Sequence, residues 1–528
     1  MKQISMLATL LASSTLAFAS PAFAQTVPQE AEPPADAPSP EDPSLTTIPA
    51  EEANPTAADS KSALLESQIE ALQAQINELK AQVTKATPSW KGAPQFADAD
   101  AGWTFKVRGR LQADAAYTSR PDNYIANRNL GFNTRVRRFR IGVEGTVPGG
   151  LGYKAEVDYA NSAVGFGDVI LTYAPTNAPI TLQIGNQESL NGIEQMTSSR
   201  WSSFIERAQI NDAFMNTRRL GITVGTQTKD GLLRLTAGAF AAHSIDASLD
   251  NEGYILATRG TYTPYALNGF LHLGFNVQYR KFQSNDNGVA STSIGAPSTN
   301  QIARYRARPF LQTTDVRFVD TGNFAAKSDL ILGLEAYGVF KSLHLGGEAQ
   351  LVKVRGYNAG DRATGLNAFT GGSAVTPTDD PTFFGGHFEI GYFLTGETRG
   401  YKNGLFDRTK VLKPFDKGGI GAFQLIGRID YLDLDSNSLK NGLTNNFATG
   451  ATSLAADSAR LGRGGKQTGY LAGLTWIPTD YVRFLLNYIH TEVQGGPLAA
   501  STVPISSRTI DRRRFSTDAV ALRAQIDF

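Results

Sequence analysis

WTFKVRGRLQADAAY, residues 103–117, alternates with period two. Phe105, Val107, Leu111, Ala113, Ala115 and Tyr117 fall on one side, and Lys106, Arg108, Arg110, Gln112 and Asp114 on the other. Successive side chains of a strand leave on opposite faces, so this stretch is predicted to separate an apolar medium from an aqueous one. The pattern returns at residues 153–159, where Lys154, Glu156 and Asp158 interleave with Tyr153, Ala155, Val157 and Tyr159. It returns again at residues 271–280, where Leu271, Leu273, Phe275, Val277 and Tyr279 alternate with His272, Asn276, Gln278 and Arg280.

A soluble sandwich also alternates, so three further features decide. The runs are about ten residues long, as a tilted membrane strand requires. Short connections, at 148–150, 175–179, 229–231, 341–342 and 478–480, alternate with longer polar ones. The chain ends with Val520, Leu522, Ala524, Ile526 and Phe528 on one face. Together these predict an all-β, transmembrane antiparallel β-barrel over residues 103–528. Sixteen strands are expected, with Ala303–Val319 as a possible seventeenth and 396–418 an unusually long connection on the turn side. A barrel of that size leaves an aqueous channel.

The N-terminal quarter reads differently. Lys2, the apolar run 7–18 and Ala22-Phe23-Ala24 have the form of a cleaved signal peptide over residues 1–24. Residues 25–60, rich in Pro, Ala and Glu, hold too little apolar surface to fold alone and are expected to be a disordered linker. Leu65, Ile69, Leu72, Ile76, Leu79 and Val83 recur at spacings of four and three, predicting a short periplasmic coiled-coil helix over 61–87. The simple core-position rule points to a dimer, but three heptads are too few to set the number of chains. Residues 88–102 are expected to be a second linker.

With no cysteine among 528 residues, disulfide and thiolate chemistry are excluded. Residues 1–100 carry 5 Lys and no Arg against 13 acidic residues, leaving 45 cations and 36 carboxylates for 101–528. Of those cations 32 are Arg. For an exported chain this excess points to small anions or lipid phosphates rather than nucleic acid.

If Phe105, Val107 and Leu111 meet lipid, then Lys106, Arg108 and Arg110 face the lumen. Likewise Phe139, Ile141 and Val143 turn Arg138, Arg140 and Glu144 inward. Arg135 and Arg137 share the lipid-facing parity and are expected in the headgroup zone, since a cation in mid-lipid costs roughly 2–4 kcal/mol. Some of the lumen cations are expected to pair with Glu144, Glu156 and Asp158. The connection from Gln187 to Asn216 is long enough to be functional. It carries Ser198-Ser199-Arg200-Trp201 and Glu206-Arg207, hydroxyls and guanidiniums suited to an oxyanion.

The segments KVRGRLQADAAY, NTRVRRFRIGVEGTVPGGLGYKAEVDYA, GFGDVILTYAP, EQMTSSRWSSFIERAQINDAF, FLTGETRGYKNGLFDR and ALRAQIDF resemble, in order and spacing, the phosphate-selective porin O and P family. The resemblance covers about residues 100–528. It implies a sixteen-stranded homotrimeric barrel with inward-folded loops, an arginine ladder and a constriction for phosphate or polyphosphate. By motif position it puts phosphate contacts at Asp168, Ser198, Ser199 and Arg207, beside Arg200, with Arg108 in the ladder. The family's constriction lysine falls at Gln195, so anion selectivity is expected and tight phosphate specificity is not.

Other functions make different demands. The five histidines, His243, His272, His344, His387 and His490, have no metal spacing and stand near no serine motif, so neither catalysis, a metal nor a cofactor is expected. A general porin, or an adhesive or structural barrel, is the alternative to an anion channel for phosphate, polyphosphate and chloride in the lipid of the outer membrane.

Overall fold

The computed structural model describes residues 68–78, 89–90, 92–98, 101–126, 130–160, 164–245, 253–282, 302–356, 375–446, 451–454, 456–501 and 509–528. The expected signal peptide, the 25–60 linker and most of 61–87 lie outside them. Residues 68–78 are helical, with Ile69, Leu72 and Ile76 exposed. Residues 88–102, expected as a linker, hold the strands Ser89–Trp90 and Pro94–Asp98, and the second pairs with Trp103–Lys106.

Sixteen strands form the wall: β1 (Trp103–Thr118), β2 (Gly131–Val147), β3 (Leu151–Asp158), β4 (Gly165–Tyr173), β5 (Ile180–Gln187), β6 (Arg219–Gln227), β7 (Leu233–Ala241) and β8 (Tyr254–Tyr262) come first. Then follow β9 (Gly269–Lys281), β10 (Phe324–Phe340), β11 (Leu343–Gly356), β12 (Thr382–Phe393), β13 (Ala422–Asp433), β14 (Lys466–Thr479), β15 (Val482–Gln494) and β16 (Arg514–Asp527). Each pairs antiparallel with the next, and β16 returns to β1, Ala519 opposite Thr118 and Asp527 opposite Arg110. Closure leaves no unpaired edge, the condition for strands to cross a bilayer. At the seam the Gly109 N–H donates to the Phe528 carbonyl (3.1 Å) and the Phe528 N–H to the Gly109 carbonyl (3.0 Å). A Cβ at 109 would lie 2.0 Å from the Phe528 ring, so glycine is required there.

The barrel is apolar outside, and inside it is polar apart from a buried apolar cluster in which Ile331, Val352, Phe383 and Leu432 of the wall pack on Ile210 and Phe214 of the loop. On β1, Phe105 and Leu111 are 38% and 40% exposed while Arg110 and Gln112 are 5% and 0%. Exposed Trp103, Tyr173, Tyr262 and Tyr392 mark the turn-side rim, and Tyr117, Tyr254, Tyr279 and Tyr470 the loop-side rim, as aromatic girdles do at bilayer interfaces. The turns are as tight as expected; Gly149 and Gly150 take φ of +87° and +81° between β2 and β3, a conformation that favours glycine.

Two corrections and one addition follow. The register of β1 with β2 shifts between Gln112 and Ala113, which face Arg138 and Val136 and leave Arg137 bulged. A bulge puts consecutive residues on one side, so Arg137 joins Arg138 in the lumen, where it meets Glu206 (2.7 Å). Arg135 donates to the Gln312 carbonyl (2.8 Å) of the β9–β10 connection. Both point inward, not to headgroups. Second, residues 303–319 form no wall strand; they supply the end of Ile302–Ala303, which pairs with Phe324 and Ala325 of β10, the short piece Arg306–Ala307 and the start of Val319–Asp320, and Arg317 holds Asp212 of the β5–β6 loop (2.9 Å). Third, the long connection 396–418 enters the barrel from the turn side. Arg399 pairs with Glu389 (2.8 Å), and Arg408 pairs with Asp527 (2.5 Å) and stacks between Trp201 and Tyr481.

Candidate functional site: a cationic cavity between loop and wall

Residues 188–218, between β5 and β6, run inside the barrel because the wall opposite supplies their partners. The backbone N–H groups of Ile193 and Glu194, which open the short helix Ile193–Met196, donate to Glu335 of β10 and Glu348 of β11. Arg428 of β13, fully buried, bridges Glu194 (2.5 Å) and Glu389 (2.6 Å). Arg523 of β16 holds Asp114 (2.6 Å) and Glu206 (3.0 Å). Burial opposes ionisation of Glu206, but Arg137 and Arg523 outweigh it and hold the carboxyl below the usual range. Buried charges persist only when paired and hydrogen-bonded. These contacts pin the loop against β10–β16 and leave the lumen open on the β1–β8 side.

There the loop and wall enclose a cavity of about 450 Å³. Asp168, Gln195, Ser198, Ser199, Arg200 and Arg207 all line it, with Arg110, Arg138 and Arg140 of the expected ladder. Lys106 and Arg108 lie elsewhere, nearer the turn-side mouth of β1, and Arg108 pairs with Glu144 (2.6 Å). Arg218, Arg137 and Lys154 complete the cationic lining and were not singled out as site residues from sequence. Arg218 stands just ahead of β6 in a Thr-Arg-Arg run, where period two cannot say which arginine turns inward; Arg137 was hidden by the bulge.

The lining holds eight cations and three carboxylates, Glu156, Asp168 and Glu188. Each carboxylate serves more than one cation or orients one. Glu156 is shared by Arg110 (3.3 Å) and Arg140 (2.7 Å). Asp168 binds Lys154 and Arg218 (2.6 Å), so it orients cations. Glu188 takes Arg218 (2.8 Å) and the Gln195 amide (3.2 Å). Among the described residues Arg138, Arg200 and Arg207 have no carboxylate partner. Arg138 donates to Gln112 Oε1 (2.9 Å), Arg200 to Ser198 Oγ (3.2 Å), and Arg207 to the carbonyls of Glu194 and Thr197 (2.8 Å each). Their direct hydrogen-bond partners are neutral, while Glu188, Glu194 and Glu206 act on Arg207 only through space.

On the described residues Glu194, His387 and Glu389 also come close enough to hold a cation, but Arg428 already bridges both carboxylates.

Residues 105–528 match the family model described as phosphate-selective porin O and P. An uncharacterised protein of Caulobacter vibrioides is 32% identical over 450 residues, covering 83% of this chain and 77% of that one. Porin O of Pseudomonas aeruginosa is 26% identical over 426 residues, covering 76% and 85%. Among solved structures, the outer membrane channel DcaP of Acinetobacter baumannii aligns with a TM-score of 0.42 at 13% identity, over 82% of this chain and 99% of that one.

Proposed function

The chain belongs to the phosphate-selective porin O and P family of outer-membrane β-barrel porins, and from that premise we propose that it passes small anions, phosphate and polyphosphate among them, through an arginine-lined constriction. The observation that carries this reading is the set Arg138, Arg200 and Arg207, which face one cavity with no carboxylate partner among the described residues. In a narrow passage with low-dielectric walls such charge is focused rather than screened, and it raises the local concentration of anions. Ser198 and Ser199 add hydroxyls on the loop side. Phosphate slows chloride but is held weakly, because Gln195 contributes an amide where the family places a lysine.

The active form is a homotrimer. Strands β3–β8 have only 8–9 residues, against 12–17 in β9–β16, and a wall at the lower limit for spanning lipid is suited to lie against a neighbouring barrel. The N-terminal helix then lies in the periplasm, on the side of the short turns.

Chloride current through single channels in planar bilayers tests the function. Added phosphate reduces the current, and pyrophosphate reduces it at lower concentration. A current indifferent to both returns the protein to the general porins.

A further inference from the structure

Below the cationic cavity, toward the β4–β5 turn, lies a second cavity of about 440 Å³ with a different chemistry. Its inward face is a band of neutral donors and acceptors: Thr181 and Gln183 on β5, Thr223 on β6, Thr236 on β7, Thr261 on β8, and Asn403 from the infolded 396–418 connection. Strand register builds the band, setting Gln183 opposite Thr223 and Thr181 and Thr236 on either side of Gly225. Only two cations enter it. Arg259 is paired with Glu335 (2.9 Å), and Arg234 donates to Gln227.

Two observations say that this band is more than a wet wall. Thr261 is 4% exposed and its hydroxyl has no hydrogen-bond partner among the described residues, and a buried polar group without one is costly. The two cavities also adjoin, with Gln183, Thr223, Thr236, Leu190 and Met196 in the lining of both. Leu190 and Met196 put an apolar surface across from the hydroxyls. A cationic site beside a pocket of hydroxyls, amides and one apolar face matches a molecule with a phosphoryl group at one end and a hydroxylated carbon chain at the other.

We propose that the pore recognises phosphate monoesters of small polyols, the phosphoryl group in the arginine cavity and the polyol body along Thr181, Thr223 and Thr261 with its C–H edge on Leu190 and Met196. This rests on the anion reading above and extends it to the substrate's uncharged part.

The test uses the full-length protein in planar bilayers, at a pH where inorganic phosphate and glycerol 3-phosphate are both dianions. Half-blocking concentrations for chloride current are compared for inorganic phosphate, glycerol 3-phosphate and glycerol. Two extra hydrogen bonds predict that the ester blocks at about ten-fold lower concentration than phosphate, with glycerol inert. Thr181→Val with Thr261→Val, both outside the arginine cavity, brings the ester to the level of phosphate and leaves phosphate block unchanged. Equal block by ester and phosphate in the wild type overturns the proposal, whether or not the variant assembles. So does an ester preference that survives the double substitution. If neither phosphate nor ester blocks, the anion reading itself has failed.

Discussion

Arg110 on the wall donates to the hydroxyl of Ser199 on the inward loop at 2.6 Å, and this contact fastens the free side of the loop beside the cationic cavity. The same guanidinium reaches Ser198 (3.4 Å) and shares Glu156 with Arg140. Arg110 is therefore both a charge and a tether. Arg110→Lys keeps the charge but loses the planar fork, and it is expected to preserve anion selectivity while raising open-channel current noise. Arg110→Ala loses both. Single-channel recording separates the two effects; identical noise in Arg110→Lys and the wild type would remove the tethering role.

Arg138 and Arg140 sit two residues apart and differ in compensation. Arg140 has Glu156 and Asp158 at 2.7 Å each, whereas Arg138 has only the neutral Gln112. Arg138→Gln is expected to lower the anion-to-cation permeability ratio about two- to five-fold, roughly 0.5–1 kcal/mol after screening by lumen water. Arg140→Gln also frees Asp158 and leaves Glu156 to Arg110 alone, so its loss is expected to be larger still. Permeability ratios from reversal potentials check both, and an Arg138→Gln channel with unchanged selectivity would show that its charge does not act on the passing ion.

Gln195 and Glu188 are 3.2 Å apart, and that distance governs what restoring the family's lysine can do. A Gln195→Lys ammonium meets the Glu188 carboxylate, which Arg218 already occupies. Phosphate block of chloride current is expected to strengthen only about two- to three-fold in Gln195→Lys and about ten-fold when Glu188→Gln accompanies it. Block that stays at the wild-type level in the double variant would contradict this placement of the site.

The wall was legible in sequence because lipid and lumen impose opposite demands on alternate residues, and WTFKVRGRLQADAAY meets both without interruption. All sixteen predicted strands are present, their ends displaced by a few residues. Asp168, Ser198, Ser199 and Arg207, which the family resemblance singles out, line a common cavity. What period two could not carry was the β1–β2 bulge, where a one-residue shift moved Arg135 and Arg137 from lipid parity to the lumen. Nor could it carry the inward course of 188–218 and 396–418. Those paths are fixed by pairs such as Arg428–Glu194 and Arg408–Asp527, which local pattern does not connect.

The barrel seam offers a test of closure. A side chain at 109 would run into the Phe528 ring, and overpacking of this kind costs roughly 1–3 kcal/mol. Gly109→Val is expected to lower the temperature at which the barrel loses its compact mobility in detergent electrophoresis, and Phe528→Ala in the same chain to restore part of it. No recovery in the double variant would place the strain elsewhere.

Glu206 sets the acid limit of the loop's anchorage. Its folded carboxyl is held below the ordinary range by Arg137 and Arg523 against the effect of burial. Stability from a depressed carboxyl is complete above its unfolded value and is lost as pH falls toward the folded one. The Glu206 anchor is therefore expected to hold at about pH 5 and to be lost only at strongly acid pH, a difference read against Glu206→Gln. Current noise measured across that range checks this, and noise rising between about pH 7 and pH 5 would contradict it.

Anion selection is proposed to come from the arginines between loop and wall that have no direct carboxylate partner among the described residues. The zero-current potential across a bilayer holding the full-length protein in a potassium chloride gradient measures that directly. A potential with the sign of chloride permeation is expected, collapsing toward zero when Arg138→Gln and Arg200→Gln are combined. A potential near zero or of potassium sign in the wild type would contradict it.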